Sequence, residues 1–353
     1  VVGIAYAAPN TIPGDGAEGG SFLPGQKINL GLDLQGGSHL LLRVDMDVVV
    51  NERLEGMTET VRLEFRQNNL RFSGLAVRNG AVNISIRRAE DDAAARAVFA
   101  EFGPGVSISS DGTAFRLAFT EQGVIDLQSQ TIEQSMEIIR RRIDPDGTKE
   151  PVIQRQGADR VLVQLPGVDD PEEIKRLLGR TAKLTFQLVD TSITAQEVLQ
   201  RGRAPSGSIL LSADDDSGEA FVVEKRVMVS GELLESAQAS FDQNNRPAVT
   251  FALNAEGAKK FGRVTGANIG RPFAIILDGK VVSAPTIQSQ IFGNGQITGN
   301  FTVAETNELA LILRAGALPA PLIVMEERSI GPGLGADSVA AGQIAAIFAL
   351  ALV

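Results

Sequence analysis

The stretch from 125 to 189 carries the fold: IDLQSQTIEQSMEIIRRRI over 125–143, VIQRQ over 152–156, RVLVQL over 160–165, DPEEIKRLL over 170–178 and KLTFQLV over 183–189. In the first segment Ile132, Met136, Ile139 and Ile143 recur at spacings of three and four, the apolar stripe of a helix, and Pro145-Asp146-Gly147 stops it. The two short alternating runs flank Gly157-Ala158-Asp159 and read as a hairpin. Asp170 is placed as an N-cap, with Pro171 at the first helical position and Glu172 and Glu173 in the first turn, so a second helix runs to Leu178. Lys183 to Val189 is then a strand. Helix, two strands, helix, strand is the split βαβ pattern, with two helices on one face of an antiparallel sheet.

The same order is read upstream. His39 to Val44 is a strand, and Val50, Leu54, Met57, Val61 and Phe65 stripe a helix. Leu75 to Arg78 and Ala81 to Ile86 meet at Asn79-Gly80, a strong hairpin signal; Asp91 to Phe102 is a second helix and Phe115 to Phe119 a further strand. Downstream, Thr191 to Gly218, with the acidic run Asp214-Asp215-Asp216, reads as a solvated loop and lacks the spacing of a calcium loop. A second mixed unit follows: strand Ala248 to Leu253, helix Ala255 to Val264, strands Phe273 to Leu277 and Lys280 to Ser283 around Asp278-Gly279, strand Gly295 to Phe301, and helix Val303 to Arg314. Leu318 to Glu326, broken by two prolines, suits a sheet edge.

Composition removes several functions. The 353 residues hold 33 Lys plus Arg against 43 Asp plus Glu, and a net charge of -10 repels a phosphate backbone, so nucleic acid is not an expected partner. With no Cys and one His, thiolate metal sites, disulfides and cysteine nucleophiles are excluded. Val1 to Ala8 and Ser338 to Val353 are uncharged runs, each shorter than the roughly 20 apolar residues of a membrane span. They read as the end of one membrane helix and the start of another, the alternative being a signal-peptide remnant and a buried core helix. Flanks poor in Lys and Arg place the region between them on the outer face of the membrane. Residues 9–26, rich in Gly and Pro, are a linker.

The string Gly31-Leu32-Asp33-Leu34-Gln35-Gly36-Gly37 precedes a strand and not a helix, so Gly31, Asp33, Gly36 and Gly37 are read as a structural motif and not a phosphate loop. His39 sits in an apolar run as a packed or half-exposed side chain. Glu137, Arg140, Arg141 and Arg142 read as a solvated helical face. No nucleophile and base come together, so catalysis, metals and cofactors are not expected.

Gly31 to Gly37 with His39-Leu40-Leu41-Leu42, then Arg160 to Gly167, Pro272 to Pro285, Leu313 to Pro319 and Ile330 to Gly335 are collinear over nearly the whole chain and closely resemble the SecD family of bacterial protein translocase subunits. The resemblance implies an inner-membrane, multi-pass subunit of the resistance-nodulation-division type. Its periplasmic domain, a base and a mobile head, would work with SecF, the SecYEG channel and YajC on unfolded preproteins, using the proton gradient. It implies an α+β fold: a ferredoxin-like base at 27–181 and 317–331, duplicated, an inserted α+β head at 182–316, and truncated membrane helices at 1–8 and 338–353. The chain leaves and rejoins the base at Gly179 and Gly316, so these two with Leu177, Leu178, Leu311 and Leu313 are hinge candidates, the alternative for the leucines being ordinary helix-core packing. Phe251, Phe261, Phe273 and Phe292 are candidates for contact with preprotein, since gripping any sequence needs apolar surface, the alternative for each being a place in the core. The rival readings, an efflux porter domain and a periplasmic hydrolase, lack respectively the paired porter domains with docking hairpins and a Gly-x-Ser-x-Gly elbow.

Overall fold

The computed structural model describes residues 37–167, 171–214, 218–330 and 344–345. Gly31, Asp33, Gly36, the linker, the Asp170 cap and, apart from 344–345, the apolar ends at 1–8 and 338–353 lie outside the described residues. In chain order the elements are β1 (Gly37–Val44), α1 (Met46–Gln67), β2 (Phe72–Arg78), β3 (Ala81–Ile86), α2 (Asp92–Ala100), β4 (Val106–Asp111), β5 (Ala114–Phe119), α3 (Glu121–Ile143), β6 (Val152–Gln156), β7 (Arg160–Pro166) and α4 (Pro171–Gly179). There follow β8 (Leu184–Leu188), α5 (Ala195–Arg201), β9 (Ser208–Ser212), β10 (Ala220–Glu224), β11 (Val229–Ser230), β12 (Leu234–Phe241), β13 (Pro247–Leu253), α6 (Ala255–Ala267), β14 (Phe273–Leu277), β15 (Lys280–Ser283), β16 (Asn294–Thr298), α7 (Val303–Ala315) and β17 (Leu322–Ile330). The fold is mixed α+β with several small sheets. Among the described residues no helix is long and apolar enough to cross a membrane.

The first sheet has the order β17-β1-β7-β6, antiparallel throughout. Alternation sends Leu40, Leu42, Val44, Val161, Val163 and Leu165 to one face, where Ile132, Ile139 and Ile143 of α3 and Ile174 and Leu178 of α4 close the core. Its fourth strand is β17, not the segment 183–189 that directly follows α4. That segment, as β8, pairs with β11 and β14 and packs Leu184, Phe186 and Leu188 into a different core. Local order alone does not reveal this, because loop-closure entropy rises slowly with length and a strand can return from far along the chain.

The second sheet has the order β2-β3-β5-β4 and buries Val82, Ile84, Phe115 and Leu117 against Leu54, Met57, Val61 and Phe65 of α1 and Val98 and Phe99 of α2. Where the sequence predicts one strand after the second helix, the structure has a hairpin, β4 and β5, turning through Gly112 at φ +56. Ser107, Ser109, Ser110 and Asp111 leave β4 mostly exposed, so its apolar content is too low to announce it.

The segment from β8 to α7 builds its own core between the sheet β11-β8-β14-β15 and the sheet β12-β13-β16, together with α6 and α7. β14 is buried along its whole length: Phe273, Ile275 and Leu277 face this core, while Ala274 and Ile276 meet Val223 of the β9–β10 hairpin on the other side. The segment 191–218, expected as a loop, contains a helix and a strand. Thr194 accepts from the Glu197 N–H and Glu197 reaches back to Thr194, a capping box that starts α5, and β9 follows.

Gly295 lies directly across from Phe251 in the β13–β16 pair, and a Cβ there would stand 2.3 Å from the Phe251 ring. Gly295→Ala is therefore expected to lower stability by about 1 to 3 kcal/mol through overpacking. Denaturant titration of the purified protein checks this, and Gly270→Ala, with no atom within 4 Å of its Cβ but φ +84, is the backbone-strain control.

Candidate functional site

The chain passes between the first sheet and the β8-to-α7 segment twice, outward after α4 and back after α7. Both passages meet at Arg142, in the last turn of α3. The residue shares a helical face with Ser135, Ile139 and Ile143 and has no solvent exposure, so it is not part of the solvated face that the sequence suggests. Arg141 does fit that face, pairing with Glu137 at 3.0 Å.

The Arg142 guanidinium donates to the carbonyls of Leu177 (2.9 Å) and Arg180 through one terminal nitrogen, and to those of Thr181 (3.0 Å) and Gly316 (3.0 Å) through the other. Leu177 and Arg180 lie at the C-terminus of α4, and Gly316 directly follows α7. Carbonyls at helix ends lack intrahelical partners, and a cation is favourable at the negative end of the helix dipole. One side chain thus closes two helices. Burial pushes its pKa down to about 10, with Asp278 opposing the shift, so the group stays charged at neutral pH. The Thr181 carbonyl also accepts from the Leu318 N–H at 2.8 Å, which ties the returning chain to the leaving one.

Asp278, in the β14–β15 turn, holds the leaving chain from the other side. Its carboxylate accepts from the Thr181 hydroxyl and from the backbone N–H groups of Ala182 (3.1 Å) and Lys183 (2.9 Å). Between the two charges Ala182 is buried with φ +61, a left-handed conformation that costs a residue with a Cβ roughly 1 to 2 kcal/mol. Lys183 adds an exposed ion pair to Glu52 of α1 at 2.7 Å.

The hinge candidates fall around this point in different ways. Leu177 contributes its carbonyl, Leu178 packs in the first-sheet core, and Leu313 packs in the core of the inserted segment. Gly316, at φ +99, gives its carbonyl to Arg142 and its N–H to Ile312. Gly179 is the last residue of α4, and Leu311 is half-buried on α7. Gly37 opens β1 at φ +142.

Three of the four proposed contact residues are core. Phe251, Phe261 and Phe273 are 2%, 4% and 4% exposed and surround Phe186 with ring centroids 5.4, 5.4 and 5.9 Å away. Large rings at alternating strand positions are what an inter-sheet core requires. Phe292 alone is a surface residue, 70% exposed, lying over Gly262 of α6 beside Lys259 and Arg263. Gln290 donates to the Gly262 carbonyl at 3.1 Å and the Ile291 N–H donates to the Thr265 hydroxyl at 2.9 Å, so the strip carrying Phe292 is fastened across the glycine face of the helix. Among the described residues no group of three or more His, Asp or Glu side chains is arranged to hold a metal ion.

Family models match three segments of the chain. The family described as the SecDF P1 head subdomain matches residues 208–320, the N-terminal P1 domain of protein translocase subunit SecDF matches 132–191, and the SecD/SecF GG motif matches 21–48. Protein translocase subunit SecD of Rickettsia prowazekii is 43% identical over 350 residues, covering 98% of this chain and 67% of the relative. The Rickettsia conorii subunit is 45% identical over 329 residues, 92% of this chain and 63% of the relative. A crystal structure of SecDF in its super-membrane-facing form superimposes with a TM-score of 0.54 at 28% identity, covering 91% of this chain and 34% of that one. The fold and the matches together define the class as protein translocase subunits. The chain belongs to the SecD family of protein translocase subunits, and it spans 63% of the length of the Rickettsia conorii relative.

Arg142→Met is expected to cost about 3 to 5 kcal/mol, because three carbonyls at two helix ends lose the guanidinium and the Thr181 carbonyl keeps only the Leu318 N–H. Arg142→Lys should recover only part of the loss, since an ammonium has three donors and no planar fork. Thermal and urea unfolding of the three proteins gives the ranking; equal stability of Arg142→Met and the parent would remove the guanidinium from this structural role.

Proposed function

We propose that this chain is the extracytoplasmic part of a SecD subunit of the bacterial inner membrane, acting in the late, proton-driven stage of protein export. In this reading residues 27–181 and 317–331 are a ferredoxin-like base near the membrane and residues 182–316 a head that holds the emerging, unfolded preprotein. The segments at 1–8 and 338–353 belong to the first and second membrane helices, and SecF, the SecYEG channel and YajC are the partners. The base is a duplicated split βαβ plan, one copy permuted. β5 holds the place in its sheet that β1 holds in the other, and β4, β3 and β2 correspond to β17, β7 and β6; the two strand orders support this.

One observation carries the proposal. The segment from β8 to α7 has its own core, yet its two covalent passages to the first sheet converge on a single guanidinium. A body with its own core, joined to the rest by two adjacent passages, with Leu177 of α4 packed on its edge and Lys183 paired to Glu52, is suited to move rigidly about that junction. Its surface offers Phe292 as an apolar contact flanked by Lys259 and Arg263, which suits a passing chain with apolar and acidic side chains.

A photo-crosslinking amino acid placed at Phe292 of the complete protein is expected to capture a preprotein arrested in translocation. The same probe at Phe241, an exposed ring at the end of β12, is the control for non-specific capture. Capture at Phe292 that exceeds capture at Phe241 supports the grip. Export at the normal rate with no adduct at Phe292 would remove this surface from the reading.

A further inference from the structure

The leaving chain at 181–183 is held from both sides by charged groups of very different accessibility. On the first-sheet side Arg142 is fully buried, and the Thr181 carbonyl it bonds is shared with the Leu318 N–H. On the other side Asp278 is exposed, in a turn at φ +50, and reaches the Thr181 hydroxyl and the N–H groups of Ala182 and Lys183. Opening the Arg142 side strands a buried cation and the carbonyls of two helix ends. Releasing the Asp278 carboxylate exposes it and the Lys183 N–H to water, while Ala182 stays covered and the Asp278 N–H keeps its bond to the Lys183 carbonyl at 3.1 Å.

We propose that the junction is an asymmetric hinge, with Arg142 as a fixed pin and Asp278 as a clasp that releases when the inserted segment moves. The motion is absorbed at Ala182, where release of the clasp lets the left-handed backbone relax. The charges facing the clasp are Arg142 from α3 and Lys183 from the crossing itself, the latter paired with Glu52 of α1. The inference rests on the reading that the head moves relative to the base, and it adds which contacts break and which persist.

Amide hydrogen exchange on the complete protein in lipid nanodiscs tests the clasp. In Asp278→Ala the Ala182 and Lys183 amides should exchange at least about tenfold faster, while Leu318, bonded to Thr181 beside the pin, keeps its protection. Spin labels at Gln154→Cys on β6 and Gln238→Cys on β12, both exposed and added to a chain without cysteine, should give a broader distance distribution in Asp278→Ala than in the parent. Unchanged exchange at Ala182 and Lys183, or an unchanged distribution, overturns the clasp. Selective broadening in Arg142→Lys with Leu318 still protected overturns the pin. Broadening in Asp278→Ala with normal export supports the hinge and counts against the export role of the motion, so the two failures are told apart.

Discussion

A guanidinium that closes the ends of two helices at once sets the terms for everything around it. Arg142 places four donors on four carbonyls, two at the end of α4, one at Thr181 and one at Gly316. Backbone acceptors in a dry site need donors, and a buried cation needs acceptors, so each half of the arrangement makes the other tolerable. Because the acceptors come from both passages of the chain, the guanidinium holds the leaving and returning segments side by side. The Leu318 N–H on Thr181 repeats the constraint in the backbone.

That constraint allows a large insertion in the middle of a small antiparallel sheet. α4 ends, the chain departs, and β17 returns to pair along the full length of β1. The cores on either side stay separate, with Leu178 in one and Leu313 in the other. Separate cores joined through two adjacent passages each keep their own packing.

The inserted segment uses its aromatics in two ways. Phe186, Phe251, Phe261 and Phe273 fill the space between two sheets and α6, where Gly295 makes room for the Phe251 ring. Phe292 uses another glycine, Gly262, as a seat and turns the rest of its ring to solvent. The same residue type and the same local device serve packing in one case and surface in the other. The difference lies in whether a second layer covers the ring.

Periodicity and turn chemistry in the sequence determined most of the elements: the α3 stripe, the Asn79-Gly80 and Asp278-Gly279 turns, and the helices α6 and α7 with bounds close to those observed. These are legible because they depend on neighbours a few residues away. The polar strand β4 and the capping box of α5 escape such a reading, the first for want of apolar residues and the second although Thr194 and Glu197 carry the signal. Tertiary structure alone decided which strand completes the first sheet, which phenylalanines are covered, and what Arg142 does. In a run of three arginines only the packing of α4 and α7 over α3 distinguishes the buried one, because a charged residue is buried by the acceptors that distant segments bring to it, and no local pattern records their arrival.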